Sequence, residues 1–482
     1  MKKSLLTLTT VFFMSTFAIL AVFANLEATV WAGDVEDTAV SAATTIFTRT
    51  QTIGNSASFG VALGDLDDDG DLDAFTANVL FEMAPSNSNK IWLNNGSGQF
   101  TDSGQSLGNA DSYAVALGDL DGDDDLDAFV ANDGANTVWL NDGEGNFSNS
   151  GQSLGMNASR AVLLGDVNRD GSLDAYVANV DAPNILWLND GNGLFSQSPQ
   201  ALGNLDSYSA AFGDLDGDCD LDLFVTNYSP TLANEVWLND GTGQFSDSGQ
   251  RLGNSPSYTP VLGDFDRDGD LDAYVANANS DELWLNNGDA TFQLSSQSLD
   301  TDSGFGAATA DFDADGALDI FLPIYSGENG IHLLLNDGTG QFDERINILE
   351  TDAANFFVAL GDLTGNALPD AFVTSIFHTD GSGIWLNQLG STPTISVTHS
   401  SPTYLGVPIV FTATGSSDPT ATYQWDFGDG SSGEGAVVQH AYQRCGEFTA
   451  VVTTTNQIQM EIATITIPVT QAESVFLPLL WR

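Results

Sequence analysis

An acidic segment on the frame Asp-x-Asp-x-Asp-Gly-x-x-Asp recurs seven times, with single departures in three copies and a fuller one in the last, starting at Asp65, Asp119, Asp166, Asp214, Asp264, Asp311 and Asp362, at spacings of 54, 47, 48, 50, 47 and 51 residues. The first copy, GDLDDDGDLDAF (64–75), packs six aspartates into twelve residues: Asp65, Asp67, Asp68, Asp69, Asp71 and Asp73. A second phrase keeps step with it: WLNNGSGQF (92–100), WLNDGEGNF (139–147), WLNDGNGLF (187–195), WLNDGTGQF (237–245), WLNNGDATF (284–292) and LLNDGTGQF (334–342). A shortened copy, WLNQLG, begins at Trp385. Self-similarity at a fixed period is the signature of a repeat architecture, in which each unit buries its apolar face against the next.

Each unit reads as four short strands. In the second, AVALG (114–118) is a small-residue apolar run suited to a crowded inner strand, and DAFVAN (127–132) and TVWLN (137–141) alternate in polarity. Asn141-Asp142-Gly143 supplies hairpin chemistry. FSNSGQSLG (147–155) is polar, as an outer edge strand must be to avoid pairing with other chains. No ten-residue window carries a helical period. The expected fold is all-β, a seven-bladed propeller with one blade per unit. The last unit stops after its third strand, GIWLNQLG (383–390), while IFTRTQTIGN (46–55) aligns with the outer-strand text FTDSGQSLGN (100–109). A strand at 46–53 would therefore complete the seventh blade and close the ring.

The acidic loops align position by position. Positions 1, 3, 5, 7 and 9 are Asp65, Asp67, Asp69, Asp71 and Asp73 in loop 1, and Asp119, Asp121, Asp123, Asp125 and Asp127 in loop 2. Loop 3 has Asp166, Asn168, Asp170, Ser172 and Asp174; loop 4 has Asp214, Asp216, Asp218, Asp220 and Asp222. Loop 5 has Asp264, Asp266, Asp268, Asp270 and Asp272; loop 6 has Asp311, Asp313, Asp315, Ala317 and Asp319. Oxygen ligands at alternating positions with a glycine-assisted turn describe a calcium site, with the backbone carbonyl serving at position 7, where the side chain varies. Magnesium ranks second because it keeps more of its waters, and zinc or copper would want His or Cys. Position 12 is never acidic and the flanks read as strands, so this is not an EF-hand. Six calcium sites are expected. Loop 7 (DLTGNALPD, 362–370) is doubtful, and loops 2 and 4 carry Asp124 and Cys219 in place of the usual turn glycine, which predicts strain there.

GDLDGDDDLDAFVAN with WLNDGEGNF resembles the FG-GAP/VCBS repeats of bacterial secreted proteins, and is similar to the propeller of integrin α subunits, whose hairpin loops carry calcium. Phe59-Gly60 and Phe305-Gly306 match the family's Phe-Gly step. The resemblance covers about residues 44–390. It implies calcium in the loops and an extracellular binding or adhesion role.

After a linker at 390–393, alternating strands at 394–399, 408–415, 422–430, 437–442, 447–456 and 461–469 suggest an immunoglobulin-like sandwich over 391–472. WDFGDG (425–430) with HAY (440–442) is similar to the PKD domain, which implies a core Trp425, a tight turn at 426–430 and structural hydrogen bonding for Asp426, Asp429 and His440. The apolar tail VFLPLLWR (475–482), within a segment at 473–482, is either a sorting signal or a packed strand.

Residues 1–24 read as a secretory signal: Lys2 and Lys3, an apolar Leu5–Leu20, and small residues Val22 and Ala24 before a cut. A cut after Ala32 or retention as an anchor are the alternatives, and 25–43 is a linker. No later segment is apolar enough to span a membrane, so the mature chain is expected to be secreted or cell-surface, and monomeric. With 66 acids against 11 Lys+Arg, a net charge of -55 repels nucleic acid and anionic lipid. Two cysteines, Cys219 and Cys445, exclude a disulfide framework and leave one bridge possible.

Binding is expected on the face opposite the acidic loops, where the second–third connections vary most. Phe81, Tyr228, Tyr325, His332, Phe377 and His378 there supply groups that a glycan or a protein would want. Two functions remain open. One is a calcium-stabilised binding or adhesion protein. The other is a carbohydrate-active enzyme, a polysaccharide lyase or hydrolase, which needs an acid/base set that breaks the repeat pattern.

Overall fold

The computed structural model describes residues 47–81, 86–203, 206–299, 304–325, 330–342, 344–349, 355–376, 381–387, 396–400, 403–414, 422–455 and 460–470. The signal-like segment, the N-terminal linker, the C-terminal tail, Phe377 and His378 lie outside them.

The first strands are Ala57–Gly64, Ser112–Gly118, Ala158–Gly165, Ser207–Gly213, Ser257–Gly263, Ala308–Ala310 and Asn355–Gly361. Each opens a four-stranded antiparallel sheet, seven in all among the described residues. The first strands touch one another in cyclic order, the seventh against the first, so they line a common axis. Crowding there explains their small residues: a Cβ at Gly60 would lie 2.7 Å from the Tyr113 carbonyl oxygen of the next blade. Second strands such as Asp127–Asn132 and Asp222–Asn227 are buried at every position, sandwiched between neighbouring blades. Fourth strands such as Phe100–Asp102 bury only their first residue.

The seventh sheet is completed from the other end of the array. Phe47–Ile53 pairs antiparallel with Ser382–Asn387, Phe47 opposite Asn387. Some outer strands are shorter than the sequence suggests. In the second blade only Ser148–Asn149 is strand, and the rest of 147–155 is held by one bridge, Asn136 to Leu154. Its polar side chains offer no sheet partner beyond the third strand.

The second module forms two sheets. One joins Ser396–His399, Ile409–Thr414 and Val437–His440; the other orders Ser432–Glu434, Thr422–Asp426, Gly446–Thr455 and Met460–Val469. Ser432–Glu434 was hidden in the sequence by its Ser-Gly-Glu text. Trp425, at 2% exposed, packs with Phe411, Phe427, Tyr442 and Phe448 in the core. Asp429 and His440 hydrogen-bond each other at 2.6 Å, and the His440 ring stacks on Phe427.

This module meets the acidic-loop side of the repeat array. Cys219 and Cys445 are bridged, with Cα atoms 5.0 Å apart. The Arg444 guanidinium donates to the Gly269 carbonyl at 2.7 Å and pairs with the Asp270 carboxylate. Between module and loops lies a cleft of 1320 Å³, into which Asp166, Asp214, Asp264 and Asp311 face.

Candidate functional site: acidic loops and an aromatic ring

Each acidic loop connects a first strand to a second strand, and one turn chemistry shapes all seven. The position-1 carboxylate accepts the backbone N–H of position 6 in every loop and, outside loops 4 and 5, that of position 5 as well, as Asp65 does from Asp69 (3.1 Å) and Gly70 (3.0 Å); in loops 4 and 5 the position-5 N–H turns to position 3. Asp362 repeats this with Asn366 (2.9 Å) and Ala367 (2.7 Å). Position 5 then accepts the N–H of position 7, as Asp69 does from Asp71 at 3.0 Å.

The expected strain in loops 2 and 4 is shared by all the loops. Positions 4 and 6 both take positive φ in every copy, and each copy has glycine at one of the two. Loops 1, 3, 5 and 6 have Gly70, Gly171, Gly269 and Gly316 at position 6, with Asp68, Arg169, Arg267 and Ala314 left-handed at position 4. Loops 2, 4 and 7 move the glycine to position 4 (Gly122, Gly217, Gly365) and leave Asp124, Cys219 and Ala367 left-handed at position 6. A non-Gly residue in this region costs energy that a neighbouring glycine does not remove, so one glycine per loop halves the cost.

Position 9 is the anchor. Asp73, Asp127, Asp174, Asp222, Asp272, Asp319 and Asp370 are fully buried. Asp127 accepts the Leu120 N–H (3.0 Å) at the head of the loop and the Asn141 N–H (2.8 Å) at the third-strand end. Burial pushes these carboxyls up against the pull of those two bonds: Asp73 and Asp222 to about 7, Asp127, Asp174 and Asp370 to about 6, Asp272 and Asp319 to about 8. Burial likewise raises Asp214 and Asp311 to about 6 and Asp264 to about 7.

Carboxylate oxygens converge in five loops. Asp65, Asp67 and Asp73 bring theirs within 4.8 Å of one another, as do Asp119, Asp121 and Asp127; Asp214, Asp216 and Asp218; Asp264, Asp266 and Asp272; and Asp311, Asp313 and Asp315. These sets are able to hold a metal ion. Asp67 Oδ1, Asp121 Oδ1 and Asp264 Oδ1 are shut off from solvent and accept no hydrogen bond. A buried oxygen in that state is a costly arrangement unless a cation answers it. Loop 7 differs: the Thr364 hydroxyl donates to Asp370 at 3.3 Å, giving the buried carboxylate a neutral partner.

Position 7 has a side-chain role that the sequence did not reveal. A Cβ at Gly96 would lie 2.5 Å from Asp71 Oδ2, and one at Gly143 2.8 Å from Asp125 Oδ1, so these carboxylates fill the space under the adjoining hairpin. Asp220 and Asp270 pair with Arg169 and Arg444.

Two sets of amides missed by the sequence reading join the blades. The asparagine of the WLN phrase donates to the position-2 carbonyl of the preceding blade: Asn141 to Leu66 (2.9 Å), Asn189 to Leu120 (2.9 Å), Asn239 to Val167 (2.8 Å), Asn286 to Leu215 (2.8 Å), Asn336 to Phe265 (2.8 Å), Asn387 to Phe312 (3.3 Å) and, around the closure, Asn94 to Leu363 (3.0 Å). Gln105 spans to the next blade with both ends of its amide, donating to the Gly145 carbonyl and accepting the Phe147 N–H; Gln51 does the same with Phe100 across the closure. Their recurrence was the available signal.

The opposite ends of the first strands carry a ring of large side chains, one per blade: Phe59, Tyr113, Arg160, Tyr208, Tyr258, Phe305 and Phe356. At six of these the antiparallel register slips, as between Ser112 and Ala114 or Ser159 and Ala161, and such bulges re-aim the extra side chain. Phe59 meets Tyr113 at 4.8 Å and Phe356 at 5.0 Å, Tyr258 meets Tyr208 at 5.2 Å and Phe305 at 4.2 Å, and Phe305 stacks on Phe356 at 4.5 Å. The Arg160 guanidinium lies 3.8 Å over the Tyr113 ring.

Three of the expected ligand residues join this ring. Phe81 and Tyr325 pack into its apolar cluster, and Tyr228, 37% exposed, stacks on Tyr258 at 5.2 Å. His332 does not. It sits inside the third strand Gly330–Leu335, opposite Leu322 and Asn347 and 1% exposed, because that strand begins before the text IYSGENGIH ends.

Among the described residues no helix is long and apolar enough to cross a membrane. The FG-GAP-like repeat model matches residues 78–130, 119–177, 166–225, 214–275 and 264–322, and the PKD domain model matches 390–470. Among solved structures, the chain is similar to an Agrocybe aegerita lectin studied for recognition of non-reducing terminal N-acetylglucosamine, at 19% identity over 66% of this chain and 85% of that one, with a TM-score of 0.42. It is similar to BBS1N in complex with ARL6DN, at 10% identity over 72% and 99%, TM-score 0.47. A putative 6-phosphogluconolactonase from Bacteroides uniformis matches at 10% identity over 60% and 82%, TM-score 0.40. Likenesses at these levels carry no functional information about this chain. The chain belongs to the FG-GAP-like repeat family, with a PKD domain following its repeats.

Proposed function

We propose that this chain is a secreted, calcium-stabilised binding protein that recognises an extracellular glycan or protein ligand on the face opposite its acidic loops. The observation that carries this reading is the ring of aromatic side chains around the axis, extended by Phe81, Tyr228 and Tyr325 from the variable connections. Aromatic rings with a few convergent polar groups are the usual lining of a ligand site. Calcium is the ion of choice for loops 1 to 6: the donors are all oxygens, and the unpartnered buried oxygens of Asp67, Asp121 and Asp264 call for a hard cation. Positions 1, 3, 5 and 9 would supply side chains and position 7 its carbonyl. Loop 7 is read as metal-independent, because Thr364 already satisfies Asp370. The loop face is partly occupied by the second module, which favours the other face for a partner. The bridge between Cys219 and Cys445 supports an oxidising, extracellular compartment.

The test is a glycan array and a polysaccharide panel, probed with the full chain in calcium and again in excess chelator. Calcium-dependent retention without cleavage is the expected result. Appearance of reducing ends or unsaturated products would replace this reading with that of a lyase or hydrolase.

A further inference from the structure

Arg160 stands where every other blade places an aromatic ring. It rides on the bulge between Ser159 and Ala161, which turns its side chain toward the mouth of the axis, between Tyr113 and Tyr208 of the adjoining blades. Six residues of strand separate this level from the acidic loop of the same blade, a distance of about 20 Å at the rise of a strand. Among the described residues, Lys90, Arg169, Arg251, Arg267 and Arg444 each meet a carboxylate, and Arg160 meets none. Its contact is the face of Tyr113, and its Nη1 is shut off from solvent with no hydrogen-bond acceptor. The residue as a whole is half-buried, so part of the guanidinium fork is still reachable.

In a chain with 66 acids, a half-buried guanidinium with no carboxylate is unexpected. A guanidinium carries five donors in a plane matched to a carboxylate, and desolvating one without an anion costs free energy. The contact with the Tyr113 face packs the side chain into the ring, but the aromatic residues at the matching positions pack it without charge, so packing alone does not call for a cation here.

We infer that Arg160 is the recognition residue for an anionic group on the ligand, and that the ligand is a glycan ending in a single carboxylated sugar. This rests on the binding reading above. The carboxylate would take the guanidinium fork in a bidentate pair, and the sugar ring would lie against the neighbouring aromatic faces, with the exposed Tyr228 at the lip. One cation matches one anion. A polyanionic chain would meet the net charge of -55 before it reached the ring, whereas a single terminal carboxylate adds little to that repulsion.

The experiment uses the full calcium-loaded chain on pairs of oligosaccharides identical except for a terminal uronate in place of a neutral hexose, with a polysulfated glycan alongside. Wild type should prefer the uronate member of a pair, and in Arg160→Tyr the uronate-to-neutral affinity ratio should fall at least ~10-fold. Arg160→Lys should fall between the two, keeping charge without the fork. The melting temperature of each variant, equal to wild type, excludes misfolding as the cause. Equal binding of both members of each pair, or an unchanged ratio in Arg160→Tyr, overturns the assignment and leaves the binding reading standing. Preference for the polysulfated chain overturns the single-carboxylate match. Retention of no glycan at all overturns both the inference and the glycan branch of the proposed function.

Discussion

Truncating Asn94 to alanine tests whether the ring is closed as the structure has it. Asn94 is 5% exposed; its Nδ2 donates to the Leu363 carbonyl of the seventh blade at 3.0 Å, and its Oδ1 accepts the Asn95 N–H at 2.9 Å. Removing the amide forfeits a net hydrogen bond of about 1 kcal/mol and strands a buried carbonyl at roughly 1–2 kcal/mol, so the expected loss is about 2–3 kcal/mol. The unfolding entropy near 2.1 cal/mol/K per residue, over a propeller of about 340 residues, makes 1 kcal/mol about 1.4 °C, so the melting temperature should fall by about 3–4 °C. Asn141→Ala breaks the equivalent bond to Leu66 inside the array and should cost the same. Gln99→Ala, on the exposed hairpin, should stay within about 0.5 kcal/mol. Calorimetry of the three variants at fixed calcium and pH decides. If Asn141→Ala destabilises and Asn94→Ala behaves like the surface control, the first and seventh blades are not neighbours and the closure is wrong.

The pH dependence should change sign with calcium. The position-9 carboxyls are raised to about 6–8 by burial, above their unfolded value, so the folded chain without metal binds the extra protons. In chelator, stability should therefore fall as pH rises from about 4 to 8, whereas saturating calcium, which favours the charged form, should flatten or reverse the trend. A chelated protein whose melting temperature climbs through that window would contradict the burial reading. Separately, the double variant Cys219→Ser/Cys445→Ser should lower stability by about 2–4 kcal/mol, and proteolysis under mild conditions should release the PKD module earlier than in wild type. Unchanged digestion kinetics would mean that the bridge does not tether the module.

Much of the scaffold was legible in the sequence because it is periodic. The blade length, the four-strand unit, the acidic positions and the complementary chain ends are all local patterns repeated, and a repeat needs only its nearest neighbours to fold. The glycine exchange between positions 4 and 6 was equally visible at Gly122 and Gly217, but it needed the φ values of the loop to be understood. His332 was misplaced because a strand boundary, not a residue type, decides burial, and boundaries are where a sequence speaks least clearly.

What the sequence alone determined is the ring of repeats and the spacing of acidic residues in its loops. What only the tertiary structure decided are the partnerships between distant segments. Asn141 finds a carbonyl 75 residues back, Gln51 a blade that follows it around the closure, and Cys445 a loop 226 residues away. Arg160 belongs here as well. Its text differs from its neighbours' by one side chain, yet only the folded ring shows its guanidinium lying over the Tyr113 ring with no carboxylate among the described residues paired to it. Each of these facts depends on which surfaces meet, and that is set by packing over the whole array, not by any window of the chain.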